Sequence, residues 1–465
     1  MTTLNYAAFP FDLGIIPSNS AAHIVGGSAR DLLLGLKPVD YDISVSGKPE
    51  EFAGELARNT GGRLVIMGKP GKMVSRVVTP TLIFDITAFR GATIESDLNE
   101  RDFTINAIAY DLSTGRLIDP LNGREDLAKK QVKRVSETAF RDDPVRLLRA
   151  YRMAASLGFA IAPETILLIK RDAELIKRTA GERVREELFK ILAAPNSHRH
   201  LMEMSDSGLL FSVLPELKPL CGCEQNRHHH HDVFTHTLTA YAYLEKLIAD
   251  PFGLLAGSIA PDAFNFDLKL ARLLKFALLL HDIGKPACQS RDETGGIHFH
   301  GHEAAGAEAA GAICEKLRCS IKERLFITSM IALHSRPRHL YHLKQNSILT
   351  PKAITRLFMT CGENTPYLLL HADADMQGKS EAGGNVVSFT RFLGTLSERY
   401  FSNFRVKKSA APLLTGQDLI DVFGLRPSPL FKDILQRLEE KRLSDDRIDR
   451  KTAMDLVERI LRERR

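Results

Sequence analysis

One short stretch near the N-terminus constrains this chain more than any other: Gly26-Gly27-Ser28-Ala29-Arg30-Asp31, followed by Asp40-Tyr41-Asp42. The apolar run His23-Ile24-Val25 before the two glycines predicts a strand that turns sharply into a helix over Ala29 to Leu34, closed by Gly35. The start of such a helix exposes backbone N–H groups, which suits a phosphate. Arg30 would add a charge-assisted contact. Tyr41-Asp42-Ile43-Ser44-Val45 alternates as a strand does, and on a strand Asp40 and Asp42 point to one side. Two ionised carboxylates so close are costly unless a divalent cation sits between them. Together these are the parts of a metal-assisted phosphoryl or nucleotidyl transfer centre. The bland alternative is a glycine turn with two surface aspartates.

The surrounding pattern is α+β. Arg63 to Met67, Ser75 to Val78 and Leu82 to Ile86 are further strand candidates between Gly/Pro turns, and Ile105 to Tyr110 is continuously apolar. After about residue 135 helical periodicity takes over to the end, so a mixed-sheet head precedes an all-helical body. Breaks in the pattern divide the 465 residues into a head (1–134), a helical neck (135–225), a histidine-bearing domain (226–400) and a helical tail (401–465).

Composition excludes other classes. With 44% hydrophobic and 26% charged residues the chain is neither disordered nor low in complexity. No apolar run approaches the ~18–20 residues of a membrane span, so no membrane association is expected. The N-terminus lacks the basic region of a signal peptide, and six cysteines do not make a disulfide framework. A reducing cytoplasm is the expected setting. Net charge is +6, yet Lys129 to Arg199 alone holds 16 Lys+Arg against 9 Asp+Glu, a surplus of +7. Such a concentrated stretch is the footprint of a polyanion, nucleic acid first, or else a solvated helical face.

Five motifs in order give the chain a resemblance to the class II tRNA nucleotidyltransferases, the family of CCA-adding enzymes and bacterial poly(A) polymerases. Gly26-Gly27-x-x-Arg30-Asp31 with Asp40-x-Asp42 resembles the family's metal-binding motif, which implies Mg²⁺ on Asp40 and Asp42. Arg101-Asp102-Phe103-Thr104-Ile105-Asn106 resembles its ribose-recognition motif, in which Arg101 and Asp102 would contact the sugar. Asp119, Gly123 and Asp126 match a hinge motif. Asp142-Asp143-Pro144-Val145-Arg146 resembles the amino-acid template, in which Asp143 and Arg146 would hydrogen-bond the incoming base. Glu182-Arg183 with Glu187 and Lys190 resembles the motif that props up the neck. The resemblance implies tRNA as partner, CTP and ATP as nucleotides, and template-independent building of the CCA end. A poly(A) polymerase is the family's alternative product class.

Elementary geometry agrees with that expectation. Pro144 is expected to start a helix that places Asp143 and Arg146 one turn apart on one face, where an acceptor and a donor fork mimic Watson–Crick edges. Arg146, Arg149 and Arg152 recur every three residues and would track a triphosphate or an RNA backbone, or else form a solvated face. Asp85 is either a third carboxylate of the site or a structural partner of Arg90. Two departures stand out. Only Gly91 to Ser96 separate Arg90 from Asp97, where many relatives carry a long flexible loop; this shortness resembles the enzymes that stop after two cytidines. Glu100 stands where the family usually has an arginine.

A second constellation lies in the helical body. His228-His229-His230-His231-Asp232 precedes His236; then come His281-Asp282-Ile283-Gly284-Lys285, His302, His334 and Asp375. Imidazoles and carboxylates from separate helices suit a mono- or dinuclear site for a transition metal or Mg²⁺. The pattern resembles the HD superfamily of phosphohydrolases. That likeness implies His236, His281, Asp282 and Asp375 as ligands of one metal, with His302 and His334 completing a second site. A third function class follows, in which this domain hydrolyses phosphate esters and the head only binds; an inactive scaffold is the alternative. The tail opening at Pro412 resembles the family's C-terminal unit, although Pro427-Ser428-Pro429 lacks the usual glycines; it would hold tRNA or merely pack.

Overall fold

The computed structural model describes residues 9, 11–18, 20–69, 72–225, 231–251, 253, 266–379, 384–445 and 447–463. They fall into two compact units, Met1–Ala194 with Glu203–Val213, and Pro195–Met202 with Leu214–Arg465.

Strand alternation builds the first unit. Its strands are β1 (Ala22–Val25), β2 (Tyr41–Val45), β3 (Arg63–Lys69), β4 (Lys72–Val78), β5 (Ile83–Ala88), β6 (Ala109–Asp111) and β7 (Leu117–Ile118), in the sheet order β3-β4-β5-β2-β1-β6-β7. All neighbours are antiparallel except β2 and β5, which run parallel. Helix α1 (Gly26–Leu33) follows β1, and α2 (Pro49–Thr60) follows β2. Tyr41, Ile43 and Val45 of β2 face one side, where Phe84 and Ile86 of β5, Val77 of β4 and Phe52 and Leu56 of α2 close a buried core. The period of two then sends Asp42 and Ser44 to the other side, with Asp85 of β5 and Arg76 of β4. The core thus aims polar groups from three adjacent strands at one face.

Helix α3 (Ile94–Asn99) follows β5, and α4 (Gly123–Ala128) follows β7. The chain continues through β8 (Gln131–Val132), α5 (Ala139–Asp142), α6 (Arg146–Leu157), β9 (Ala160–Ile161), α7 (Pro163–Asp172) and α8 (Gly181–Ala193). Pro163 at the first helical position and Gly158 past the end of α6, at φ +68°, are the expected helix punctuation.

The second unit is built of helices. Leu268–Leu280 is apolar nearly all round, with Leu273, Leu274, Phe276 and Leu278 buried, which makes it the central helix. It ends at His281-Asp282 and so delivers that pair to the interior. Helices Val233–Ala249, Ile321–Leu333 and Thr365–Gln377 pack against it. Toward the C-terminus Gly416–Asp421, Pro429–Ser444 and Arg450–Arg462 enclose their own cluster of Leu419, Ile434, Val457 and Ile460.

Several expectations need correction. Helix α1 starts at Gly26 and ends at Leu33, because Gly26 takes the left-handed backbone and the helix begins at once. The apolar run Ile105 to Tyr110 is not one strand: Thr104–Asn106 forms a 3₁₀ turn and only Ala109–Asp111 joins the sheet. Strands also recur after residue 135, in β9 and in a small hairpin of Ser290–Arg291 with Ile297–His298. Two-residue ladders are too short for alternation to reveal them.

Candidate functional site

The head site grows from the β1–α1 turn. A Cβ on Gly26 would lie 2.8 Å from Arg101 Nη1 and 3.2 Å from an Asp42 carboxylate oxygen, so the close approach and φ +68° both call for glycine. Ser28, in the first turn of α1, ties down the acidic pair: its Oγ donates to the Asp40 carbonyl (3.0 Å) and accepts from the Asp42 N–H (2.8 Å). Asp40 sits in a bend one residue before β2, and Asp42 is the second residue of the strand.

Asp42 lies opposite Asp85 across the parallel β2–β5 ladder, and Asp85 lies opposite Arg76. Arg76 holds Asp85 in a fork of two 2.6 Å bonds. Asp85 therefore pairs with Arg76 and not with Arg90, which turns instead to Asp97 and to the Glu100 carbonyl. Burial, then Asp40 and also Asp85, raise the Asp42 carboxyl to about 6 against the pull of Arg101. The metal donors offered here are carboxylate oxygens, and burial with the neighbouring carboxylates opposes ionisation of Asp42, which fits a hard divalent cation.

The remaining motif residues form a connected framework. Arg30 is buried and bonded to Asp31, to Asn106 Oδ1 (2.8 Å) and to the Met153 sulfur (3.2 Å), so it ties α1 to the 104–106 turn and α6. Arg101 is held by Asp97 at 2.7 Å. Asp102 accepts from Phe103 N–H, Asn106 Nδ2 and Arg149. Its own burial opposes ionisation, but Arg149 and Asn106 overcome this and hold it at about 2. Arg149 reaches on to Glu187 of α8 (3.8 Å), which also takes Arg152 (2.5 Å). Glu182 and Lys190 sit in the first and last turns of α8.

The hinge residues clamp the same turn. Asp119 caps α4 through the Gly123 and Arg124 N–H groups (2.7 and 3.0 Å), and Asp126 accepts from Thr104 Oγ1 (2.7 Å). A Cβ on Gly123 would fall 2.1 Å from the Thr104 carbonyl oxygen, so α4 packs that closely only with glycine.

The expected shared helix face of Asp143 and Arg146 does not form. Asp143 is extended (φ −148°, ψ 98°) between α5 and α6, and Arg146 is the first residue of α6. Pro144 cannot donate a backbone N–H and breaks the helix there. The Asp143 carboxylate takes a two-bond fork from Arg183 (2.7 and 3.0 Å), while Arg146 donates to the Glu100 (2.6 Å) and Ala139 carbonyls. Arg146, Arg149 and Arg152 are thus a partnered row and not a freely solvated face.

In the second unit six side chains gather, three from within helices (His236, His302 and Asp375) and three from just past helix ends (His281, Asp282 and His334). Asp232 caps helix Val233–Ala249, which carries His236; His228, His229 and His230 lie outside the described residues. His236 Nε2 is 2.9 Å from Asp375 Oδ1, and His281 Nε2 is 3.0 Å from Asp282 Oδ2. Donor atoms of His236, His281 and Asp375, and of His281, Asp282 and His334, lie within 4.8 Å of one another. His302 Nε2 stands 3.6 Å from Asp282 Oδ1. His281, His302 and His334 each put Nδ1 at 2.7–2.8 Å from a main-chain carbonyl, on Leu278, Phe299 and Ile331. A carbonyl only accepts, so Nδ1 carries the proton and Nε2 faces the cluster, the tautomer a metal requires.

Charge in the cluster also fits an ion. Lys285 Nζ lies 2.7 Å from Asp282, yet among the described residues neither Asp282 oxygen nor His281 Nε2 has a hydrogen bond of good geometry. Burial lowers His281, but Asp282 and Asp375 outweigh it and raise it to about 9, so without an ion the two carboxylates draw a proton onto Nε2 that a bound cation would replace, while burial holds His334 down at about 4. Sequence reasoning missed three residues: Ser28, Arg76 and His371. Ser28 stood inside a recognised motif, but its partners are backbone groups twelve and fourteen residues on, which no pattern displays. His371 lies one helical turn before Asp375, a spacing that was readable.

Comparison with known proteins places these features. Residues 22–133 match the poly A polymerase head domain, 158–221 a family described as "Probable RNA and SrmB- binding site of polymerase A", and 233–358 the HD domain. An A-adding tRNA nucleotidyltransferase of Deinococcus radiodurans is 33% identical over 437 residues, 92% of each chain. A CC-adding tRNA nucleotidyltransferase of Synechocystis sp. is 30% identical over 436 residues, 92% of this chain and 90% of that one. A solved CCA-adding enzyme in complex with CTP shares the fold, with a TM-score of 0.65 at 22% identity over 95% of this chain and 92% of that one. The head and HD families both point to use of divalent metal ions. Among the described residues no helix is long and apolar enough to cross a membrane.

Proposed function

This chain belongs to the tRNA nucleotidyltransferase family, and from that premise we propose that it extends the 3′ end of tRNA with CTP and stops after the second cytidine. The observation that carries the transfer reaction is the acidic pair Asp40 and Asp42, pinned by Ser28 at the start of α1 with Asp42 raised to about 6. A magnesium ion held by these carboxylates would supply activation of the terminal 3′-OH and neutralise the departing pyrophosphate. The chain's own groups do the rest. Backbone N–H groups of Gly26 and Gly27 meet the triphosphate, and Arg30 fixes the helix that presents them. Arg101 and Asp102 contact the ribose, with Asn106 and Arg149 holding Asp102 ionised and Arg152 steadying Glu187. Asp143 and Arg146 read the base edge, and Arg183 aims Asp143. Glu182 supports the start of α8. Asp119, Gly123 and Asp126 brace the turn on which head and neck motion depends. The basic neck adds sequence-independent contacts to RNA phosphates, and the reaction belongs to the cytoplasm.

Stopping after two cytidines rests on the link from β5 to α3. It is five residues long, Phe89 to Thr93, and closed by hydrogen bonds: Phe89 N–H to the Val45 carbonyl, Arg90 N–H to Asp97, and Thr93 capping α3. A link so short and tied has no slack to rearrange for a larger base. The Deinococcus relative favours a second reading, A addition to a CC end. The assay supplies tRNA lacking its 3′ end, and tRNA ending in CC, with CTP alone, ATP alone or both. A CC product is expected. A full CCA end contradicts the stop, A added only to the CC end selects the second reading, and long A tails select a poly(A) polymerase.

The second unit is proposed as a metal-dependent phosphohydrolase for 2′-, 3′- or cyclic phosphates, with His236, His281, Asp282 and Asp375 holding one divalent ion and His302 and His334 a second. Phosphate release that survives Asp42→Ala and is lost in Asp282→Ala is the expected pattern.

A further inference from the structure

His371 has no role in the arrangement above, yet its surroundings are anomalous for a histidine. It is fully buried, and among the described residues neither ring nitrogen has a hydrogen-bond partner. A neutral imidazole carries one donor and one acceptor, and leaving both unmet in the interior is costly. Plain packing would be served better by leucine at the same place. Its ring centroid lies 5.5 Å from that of His281 and 5.8 Å from that of His334. It also stands four residues before Asp375 on helix Thr365–Gln377, so the two side chains leave the helix on one face. Paired ligands at this spacing are a recurrent way for a helix to grip one ion.

We infer that His371 is a further ligand of the metal centre in this unit. The inference rests on the proposal that the unit binds a metal at all. The His371 nitrogens lie outside the two donor groups that fall within 4.8 Å, so ligation draws the ring inward by rotation of its side-chain torsions. An additional imidazole also shifts the donor set toward nitrogen, which suits a first-row transition ion better than Mg²⁺.

Cobalt(II) is the probe, since its visible absorption reports imidazole ligation and the oxygen-only head pair contributes no such band. The full-length chain is stripped with chelator and titrated with Co²⁺ by equilibrium dialysis and absorption. Asp282→Ala serves as the reference for loss of the centre. His371→Leu, which fills the space without a nitrogen, is expected to weaken Co²⁺ binding tenfold or more and to alter the visible band while melting no lower than the parent in chelator. His371→Asn is expected to weaken binding likewise, and it stands in if the leucine variant does not fold. Unchanged affinity and spectrum in a folded variant would overturn the assignment and leave the metal centre standing. A parent chain with no band that Asp282→Ala removes would overturn both.

Discussion

Replacing Asp42 by asparagine should stabilise the first unit while destroying transfer. In the fold, burial and the neighbouring Asp40 and Asp85 raise this carboxyl from an ordinary 3.8 to about 6. Keeping it ionised at neutral pH then costs about 3 kcal/mol, and screening at this half-buried position brings the figure to about 1.5–3 kcal/mol. Asparagine keeps the shape, removes the charge, and leaves Arg101 with its partner Asp97. The pH dependence follows in sign. The folded state holds the proton more tightly than the unfolded one, so the penalty is absent below about pH 4, grows as pH rises to about 6, and is constant above. Scanning calorimetry in chelator should therefore show the variant melting about 3–12 °C higher at pH 7, with the gap closing by pH 4. Magnesium should raise the melting temperature of the parent's first unit and leave that of the variant's first unit unmoved. If the variant is no more stable than the parent at pH 7, the Asp42 carboxyl is not held against ionisation and the argument for a cation beside it fails.

Further outcomes follow from the framework behind the site. Arg149→Ala strips the buried Asp102 of its main counter-charge and reaches Glu187 as well; a loss of about 3–5 kcal/mol is expected by urea denaturation, and a loss below 1 kcal/mol would show the ion pairs to be dispensable. Asp102 itself is held at about 2, so it contributes stability above pH 4 that is lost as pH falls toward 2; in Asp102→Asn this part of the acid-induced loss should disappear from the melting curve. Gly123→Ala puts a methyl 2.1 Å from a backbone oxygen, which should displace α4 and lower the melting temperature by many degrees, whereas Gly35→Ala, with open space around it, should cost only its backbone strain. Arg183→Ala should raise KM for CTP more than it lowers kcat, since the Asp143 carboxylate loses its fork but not its place.

Much of this molecule was legible as a string. The sheet strands could be read because a half-buried strand writes its period of two into residue types, as Tyr41-Asp42-Ile43-Ser44-Val45 does. The head motifs could be read because glycines, paired aspartates and the arginine row occupy short windows, and the histidine cluster because His281-Asp282 and its partners are unusual enough to notice at a distance. Partners across the fold were another matter. Asp85 chose Arg76 over the nearer candidate Arg90 because strand register sets them side by side. Asp143 met Arg183, forty residues on, because Pro144 breaks the helix that local spacing predicted. Local chemistry and periodicity depend on neighbours along the chain, so the sequence by itself determined which groups this protein carries and on what elements. Which carboxylate faces which guanidinium, and how far burial moves each proton, depends on groups brought together from remote positions, and only the tertiary structure decided that.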